Sequence, residues 1–176
     1  MDSSELRAIQ APLKERYRAE PAAAVVTLEA EGALDAEQIA CSLATGRALV
    51  EAGLHPATGG TGMLACSGDM LLEALVACAG VTMCSVATAL GIGVSGTVRA
   101  EGDLDFRGTL GVARDEHVPV GFRAIRLSFD VEHDGDDAQF AKLLELTERY
   151  CVVFQTLSGG VALEVAATSA ARLPAP

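Results

Sequence analysis

MLLEALVACAGVTMCSVATAL, residues 70–90, carries a single charged side chain, Glu73, and presents apolar groups on every side of a helix. It reaches the ~20 residues needed to cross a bilayer at a rise of ~1.5 Å per residue. Asp69 at its start, Glu73 within it, the hydroxyls of Thr82, Ser85 and Thr88 along it and the lack of a flanking Lys or Arg argue against a membrane span. A helix apolar all round is also expected where sheets or partner helices cover it completely. The segment therefore reads as the buried central helix of a soluble protein, with no membrane partner.

The sequence on either side supports that reading with strand patterns. Residues 24–31 alternate, with Val26, Leu28 and Ala30 on one face and Thr27, Glu29 and Glu31 on the other. IACSLAT and RALVEAG follow as a second strand pair, turning at Thr45-Gly46. The Gly-rich LHPATGGTGMLACSGD reads as a loop that ends in a helix start at Ser67 or Asp69. Beyond the central helix, Val94, Gly96, Val98 and Ala100 line the inner face of a strand, and residues 103–120 form a polar connection. A long strand over 123–133 places Ile125, Leu127, Phe129 and Val131 inward. Asp136 or Asp137 then caps a helix that carries Phe140, Leu143, Leu144, Thr147 and Tyr150 at helical spacing and ends at Cys151. CVVFQTL, a Ser158-Gly159-Gly160 turn, a last strand over 161–167 and a frayed tail complete the chain. At the N-terminus, SSELRAIQAPLKERYRAEP reads as an amphipathic helix capped by Ser3 or Ser4, which Pro12 should break or bend.

Composition narrows the function. The 176 residues are 50% hydrophobic, with 24 acidic against 13 basic side chains and a net charge of −11, so a nucleic-acid partner is excluded for want of clustered Lys and Arg. The five cysteines, Cys41, Cys66, Cys78, Cys84 and Cys151, form no CxxC pair, and His55, His117 and His133 lack metal-ligand spacing, so no metal site is expected. An odd cysteine count and an N-terminus without a basic-then-apolar leader point to the reducing cytoplasm. Cys78 and Cys84 lie roughly 120° apart on one helix, at about 100° per residue, so they do not share a face.

Two cysteine motifs carry a family resemblance. SGDMLLEALVACAGVTM, with Cys78 in an apolar Ala-rich turn, and ERYCVVFQTLSGGVALEV, with Cys151 at a helix end, resemble the first and second cysteine motifs of the OsmC/Ohr family, and the ATGGTGM loop and the strand ending in EGDLD fit in order. The resemblance implies an α+β fold of antiparallel sheets around long central cysteine helices, assembled as an intertwined homodimer. It divides the chain into an N-terminal helical extension (1–22), an OsmC-like domain (23–168) and a tail (169–176).

It also implies a thiol-dependent peroxidase that reduces organic hydroperoxides in oxidative-stress defence. Cys78 would be the peroxidatic thiol and Cys151 the resolving one, an external dithiol would be the reductant, and no metal, flavin or haem would be needed. Asp69, Glu73 and Arg47 are the supporting candidates. Asp69 stands in Ser67-Gly68-Asp69 where family members carry Pro and Glu. Val152 stands where Pro commonly follows the second cysteine, and Arg47 is placed by location alone. The alternative is a non-peroxidase relative that binds a small apolar ligand at the dimer interface.

Overall fold

The computed structural model describes residues 3–35, 40–43, 52–113 and 117–166. In chain order these form α1 (Ser3–Ala19), β1 (Val25–Asp35), β2 (Ala40–Leu43), β3 (Ala52–Gly53), β4 (Ala65–Cys66), α2 (Ser67–Leu90), β5 (Val94–Asp105), α3 (Phe106–Thr109), β6 (Phe122–His133), α4 (Asp137–Tyr150) and α5 (Val152–Gly159). The four-stranded antiparallel sheet has the order β2-β1-β5-β6, with β3 and β4 as a separate parallel pair. The fold is α+β, as expected.

The centre of the sheet follows from the alternation in β5. Val94, Val98, Ala100 and Leu104 are buried, while the Ser95 side is open. Gly96 is needed where it stands. Its φ of 138° disfavours an L side chain, and a Cβ there would approach the Asp130 carbonyl oxygen of β6 to 2.2 Å. β5 runs on to Asp105, two residues beyond the expected start of the polar connection. Its last residues stay paired to β1 from Asp103 to Asp105, opposite Val25 to Thr27. Asp105 then caps α3 by accepting the Arg107 N–H at 3.1 Å.

The long apolar helix packs on this sheet. α2 lays Leu72, Leu75, Val76 and Ala79 against Val98, Ala100, Leu104 and Phe106, and further along Met83 and Ala87 meet Ile92, Val94 and Leu143. Gly91 ends it in the left-handed region, and Ile92 N–H reaches the Ala87 carbonyl at 2.9 Å, a Schellman stop. The covering is one-sided. Met70, Leu71 and Val81 away from the sheet are exposed, so within one chain the helix is not enclosed as its sequence suggests. Among the described residues it is the one helix long and apolar enough to cross a membrane, and it packs against β1, β5, α4 and α5 as a core helix does.

Several expectations are corrected. α1 is not broken at Pro12 and continues to Ala19, without the N–H bond that residue 12 would otherwise make to the Ala8 carbonyl. Good helix formers flank the proline, and Tyr17 anchors the helix by burying its ring and donating its hydroxyl to the Ala57 carbonyl at 2.7 Å. Ser158 and Gly159 belong to α5, and the turn moves to Gly160, whose φ is 65°. Residues 161–166 form no strand. A strand exists by its ladder, and no described edge of this chain pairs with them, so Leu163 is 86% and Val165 95% exposed. Tyr150, the last of the residues at helical spacing on α4, is exposed. The Thr45-Gly46 turn and most of RALVEAG lie outside the described residues, as does the tail from 167 onward.

Candidate active site

Cys151 sits at a corner built from local rules. α4 opens on a capping box, in which Gln139 N–H donates to Asp136 Oδ1 at 2.8 Å and Asp136 N–H donates to Gln139 Oε1 at 2.9 Å. Buried Leu143 and Thr147 fix the helix in place. At Cys151 the backbone leaves the helical region with ψ of 106°, although its N–H still reaches the Thr147 carbonyl at 2.9 Å. α5 restarts at Val152, and Gln155 Nε2 donates back to the Glu148 carbonyl at 2.8 Å, which holds the corner. The Cys151 side chain is driven into the core beside α2 and is 1% exposed.

On α2, half-buried Cys78 meets this corner. The two thiols are in hydrogen-bond contact, both free and without a disulfide. The first N–H groups of any helix lack partners within it, and at α5 those of Val153 and Val152 face the Cys78 sulfur. Burial by itself would raise the Cys78 pKa. The Val153 N–H, Cys151, the Val152 N–H and the Thr82 hydroxyl one helical turn along together outweigh it and hold Cys78 below the ordinary thiol range. Cys151 goes the other way. Burial, reinforced by the Cys78 sulfur, pushes its thiol up to about 11. The Phe154 and Val153 N–H groups act in the opposite direction without offsetting it.

This geometry makes Val152 informative. Pro is well tolerated at the first helical position, and Cys151 already has the extended conformation that a following Pro requires. Val152→Pro would therefore delete one donor to Cys78 and leave α5 in place. A hydrogen bond to a charged group stabilises it, so the Cys78 pKa is expected to rise toward the ordinary thiol range. The pH dependence of alkylation by iodoacetamide, read by peptide mass, checks this; an unchanged profile would show that the Val152 N–H does not stabilise the thiolate.

The other candidates are not gathered here. Asp69 lies at the start of α2, nine residues before Cys78 and so about 13 Å away along the axis, on the opposite side of the helix. Burial raises its carboxyl, an effect that nearby His55 lessens. Glu73 is half-buried on the same helix, and neither carboxylate is among the groups that set the Cys78 pKa. Arg47 lies outside the described residues. Cys84 is fully buried, Cys66 is half-buried at the N-cap of α2, and Cys41 belongs to β2.

Sequence reading missed the Val152 and Val153 N–H groups, which are backbone donors and leave no residue-type signal. It also missed Thr82 as a site group, although its spacing of four from Cys78 makes it a neighbour on the helix. A third omission is an apolar cleft of about 320 Å³ between β6, α2 and α5, which neither thiol lines. Its wall includes Leu75, one turn before Cys78, and Phe154, next to Val153.

The family model for OsmC-like protein matches residues 60–166, which hold both cysteines and most of the sheet. The fold is similar to that of an OsmC-like hydroperoxide resistance protein from Jannaschia sp. CCS1. The TM-score is 0.51 and the identity 15%, over 82% of this chain and 97% of that one. No curated protein sequence matches the chain. With more than half of its length matched by the family model, and with the same fold in a solved structure, this chain belongs to the OsmC-like protein family.

Proposed function

We propose that this protein is a thiol-dependent peroxidase that reduces organic hydroperoxides in oxidative-stress defence, with Cys78 peroxidatic and Cys151 resolving. One observation carries the reading: the two thiols touch, and their pKa values are displaced in opposite directions. The Cys78 thiolate attacks the distal peroxide oxygen, the O–O bond breaks, and the alkoxide takes up a proton and leaves as the alcohol. Cys78 is then a sulfenic acid. Its negative charge, one of the causes that hold the Cys151 thiol up, is gone, so Cys151 ionises more readily at this stage. Cys151 attacks the Cys78 sulfur, hydroxide leaves with the released proton as water, and the disulfide is reduced by an external dithiol.

The exposed apolar side of α2 and the bare apolar residues Val161, Leu163 and Val165 support a homodimer in which a second copy covers them. The excess of acidic side chains agrees with a reading that has no nucleic-acid partner, and the free thiols agree with a cytoplasmic setting. The mechanism needs no cofactor.

The competing reading, a relative that only binds a small apolar ligand, draws support from the distance between Asp69 and Cys78. The contact between the two thiols speaks against it. Peptide mass analysis after one equivalent of cumene hydroperoxide separates the two. The peroxidase reading expects linked Cys78 and Cys151 peptides with the loss of two hydrogens; two intact thiols would reject it in favour of the binding protein.

A further inference from the structure

Leu71, Ala74, Thr82 and Ser85 stand four or seven residues from Cys78 on α2, which places them within about 40° of it at about 100° per residue. Leu71, Ala74 and Ser85 are exposed, while Cys78 and Thr82 are half-buried. The far face of the helix, with Leu72, Val76, Ala79 and Met83, is buried. Cys151 belongs to the same core as Leu72, Val76 and Ala79 and is 1% exposed, so it meets the Cys78 sulfur from the buried side. A peroxide therefore reaches that sulfur from the open face, where Thr82 stands. The Thr82 hydroxyl is also directed differently from those of other helical threonines. Thr88 and Thr147 donate to the carbonyl one turn back, those of Cys84 and Leu143, each at 2.8 Å. Thr82 donates to a side chain one turn back, the Cys78 sulfur.

We propose that Thr82 is a catalytic residue of the peroxide step: its hydroxyl, one helical turn from Cys78 on the open face of α2, hydrogen-bonds the oxygen that leaves as the O–O bond breaks. The proposal rests on the peroxidase reading of Cys78. In that step the thiolate forms an S–O bond to the distal oxygen, and this OH group stays on sulfur as the sulfenic acid. The electron pair of the O–O bond departs on the alkoxide, which takes a proton from water and becomes the alcohol. Negative charge thus moves from sulfur to the leaving oxygen. A hydroxyl that donates first to the thiolate and then to the alkoxide follows that charge. Positioned donors at a developing oxyanion contribute up to about 10²–10³-fold in rate.

The test compares two reactions of the same sulfur in the reduced full-length protein, in Thr82→Val and in Thr82→Ser. Cumene hydroperoxide expels an alkoxide, which needs a donor, whereas iodoacetamide expels iodide, which does not. Both rate constants are read on the Cys78 peptide by mass, at a pH where the alkylation profile of each protein has reached its plateau and Cys78 is fully ionised. Any change in the Cys78 pKa then drops out. A thiolate that loses a hydrogen bond becomes more nucleophilic, so alkylation should not slow in Thr82→Val. The peroxide reaction is expected to slow at least about tenfold relative to alkylation in Thr82→Val, and Thr82→Ser, which keeps the hydroxyl, is expected to restore the parent ratio. A parent ratio retained in Thr82→Val, or a lowered ratio that Thr82→Ser does not restore, would overturn the role of Thr82 and leave the peroxidase reading standing. A parent whose Cys78 is alkylated but not oxidised by the hydroperoxide would overturn that reading itself, and this proposal with it.

Discussion

Cys78→Ser is expected to reduce the consumption of cumene hydroperoxide, with a dithiol as reductant, at least about 10³-fold, to the uncatalysed background. The size of the effect follows from the chemistry. The thiolate is the atom that attacks oxygen, and a serine hydroxyl at the same place cannot ionise near neutral pH or form the sulfenic acid that Cys151 needs. Cys151→Ser has a different signature. Its Cys78 can still be oxidised once, so a single stoichiometric consumption of peroxide is expected, followed by turnover only as fast as the external dithiol reaches the sulfenic acid. The pH profile of the parent carries the same information. Because Cys78 is held below the ordinary thiol range, its reaction with peroxide should rise with pH and level off before an unperturbed thiol would ionise. Turnover that survives Cys78→Ser would reject the assignment.

Asp105→Ala is expected to destabilise the fold by about 3 kcal/mol, the largest loss of stability expected here from a single polar side chain. The Asp105 carboxylate is 1% exposed, pairs with an Arg107 side chain that is itself only 12% exposed, and caps α3. Alanine removes the bidentate acceptor and the cap together. In a chain of this size the melting temperature should fall by several degrees for this loss, and urea unfolding measures it directly.

The dependence on pH has a definite sign. The hydrogen bond from Arg107 holds the Asp105 carboxyl below its ordinary value, against the opposing effect of burial. Its contribution is therefore complete above the unfolded carboxylate pKa of about 4 and is lost as pH falls below that value. Asp103, held down to about 2 by Arg126 and Thr27, adds to the same acid limb. The parent and the alanine variant should accordingly converge in stability as the solution is acidified below about pH 4. A gap of constant size down to pH 2 would show that the Asp105 charge does not stabilise the fold.

The central helix, the alternating strands and the order of the two cysteine motifs were legible in the residues, because periodicity is a local property and burial of one face enforces it. Cys151 could be placed at a helix end from the spacing of Phe140, Leu143, Leu144 and Thr147 before it. A helix cap at Asp136 or Asp137 was legible in the same way; the structure assigns it to Asp136, in a capping box with Gln139. Pro12 and the last strand were misread because each depends on a distant partner. One is held by Tyr17 on the Ala57 carbonyl, and the other lacks a described edge to pair with.

The site divides along the same line. Sequence by itself determined that two cysteines stand in two helical contexts and that the rest of the chain can build an α+β core around them. Only the tertiary structure decided that these thiols touch and that the Val152 and Val153 N–H groups face Cys78. The orientation of backbone donors, and the one-sided covering of α2, arise from how helices meet across the fold. No pattern within a single helix contains that information.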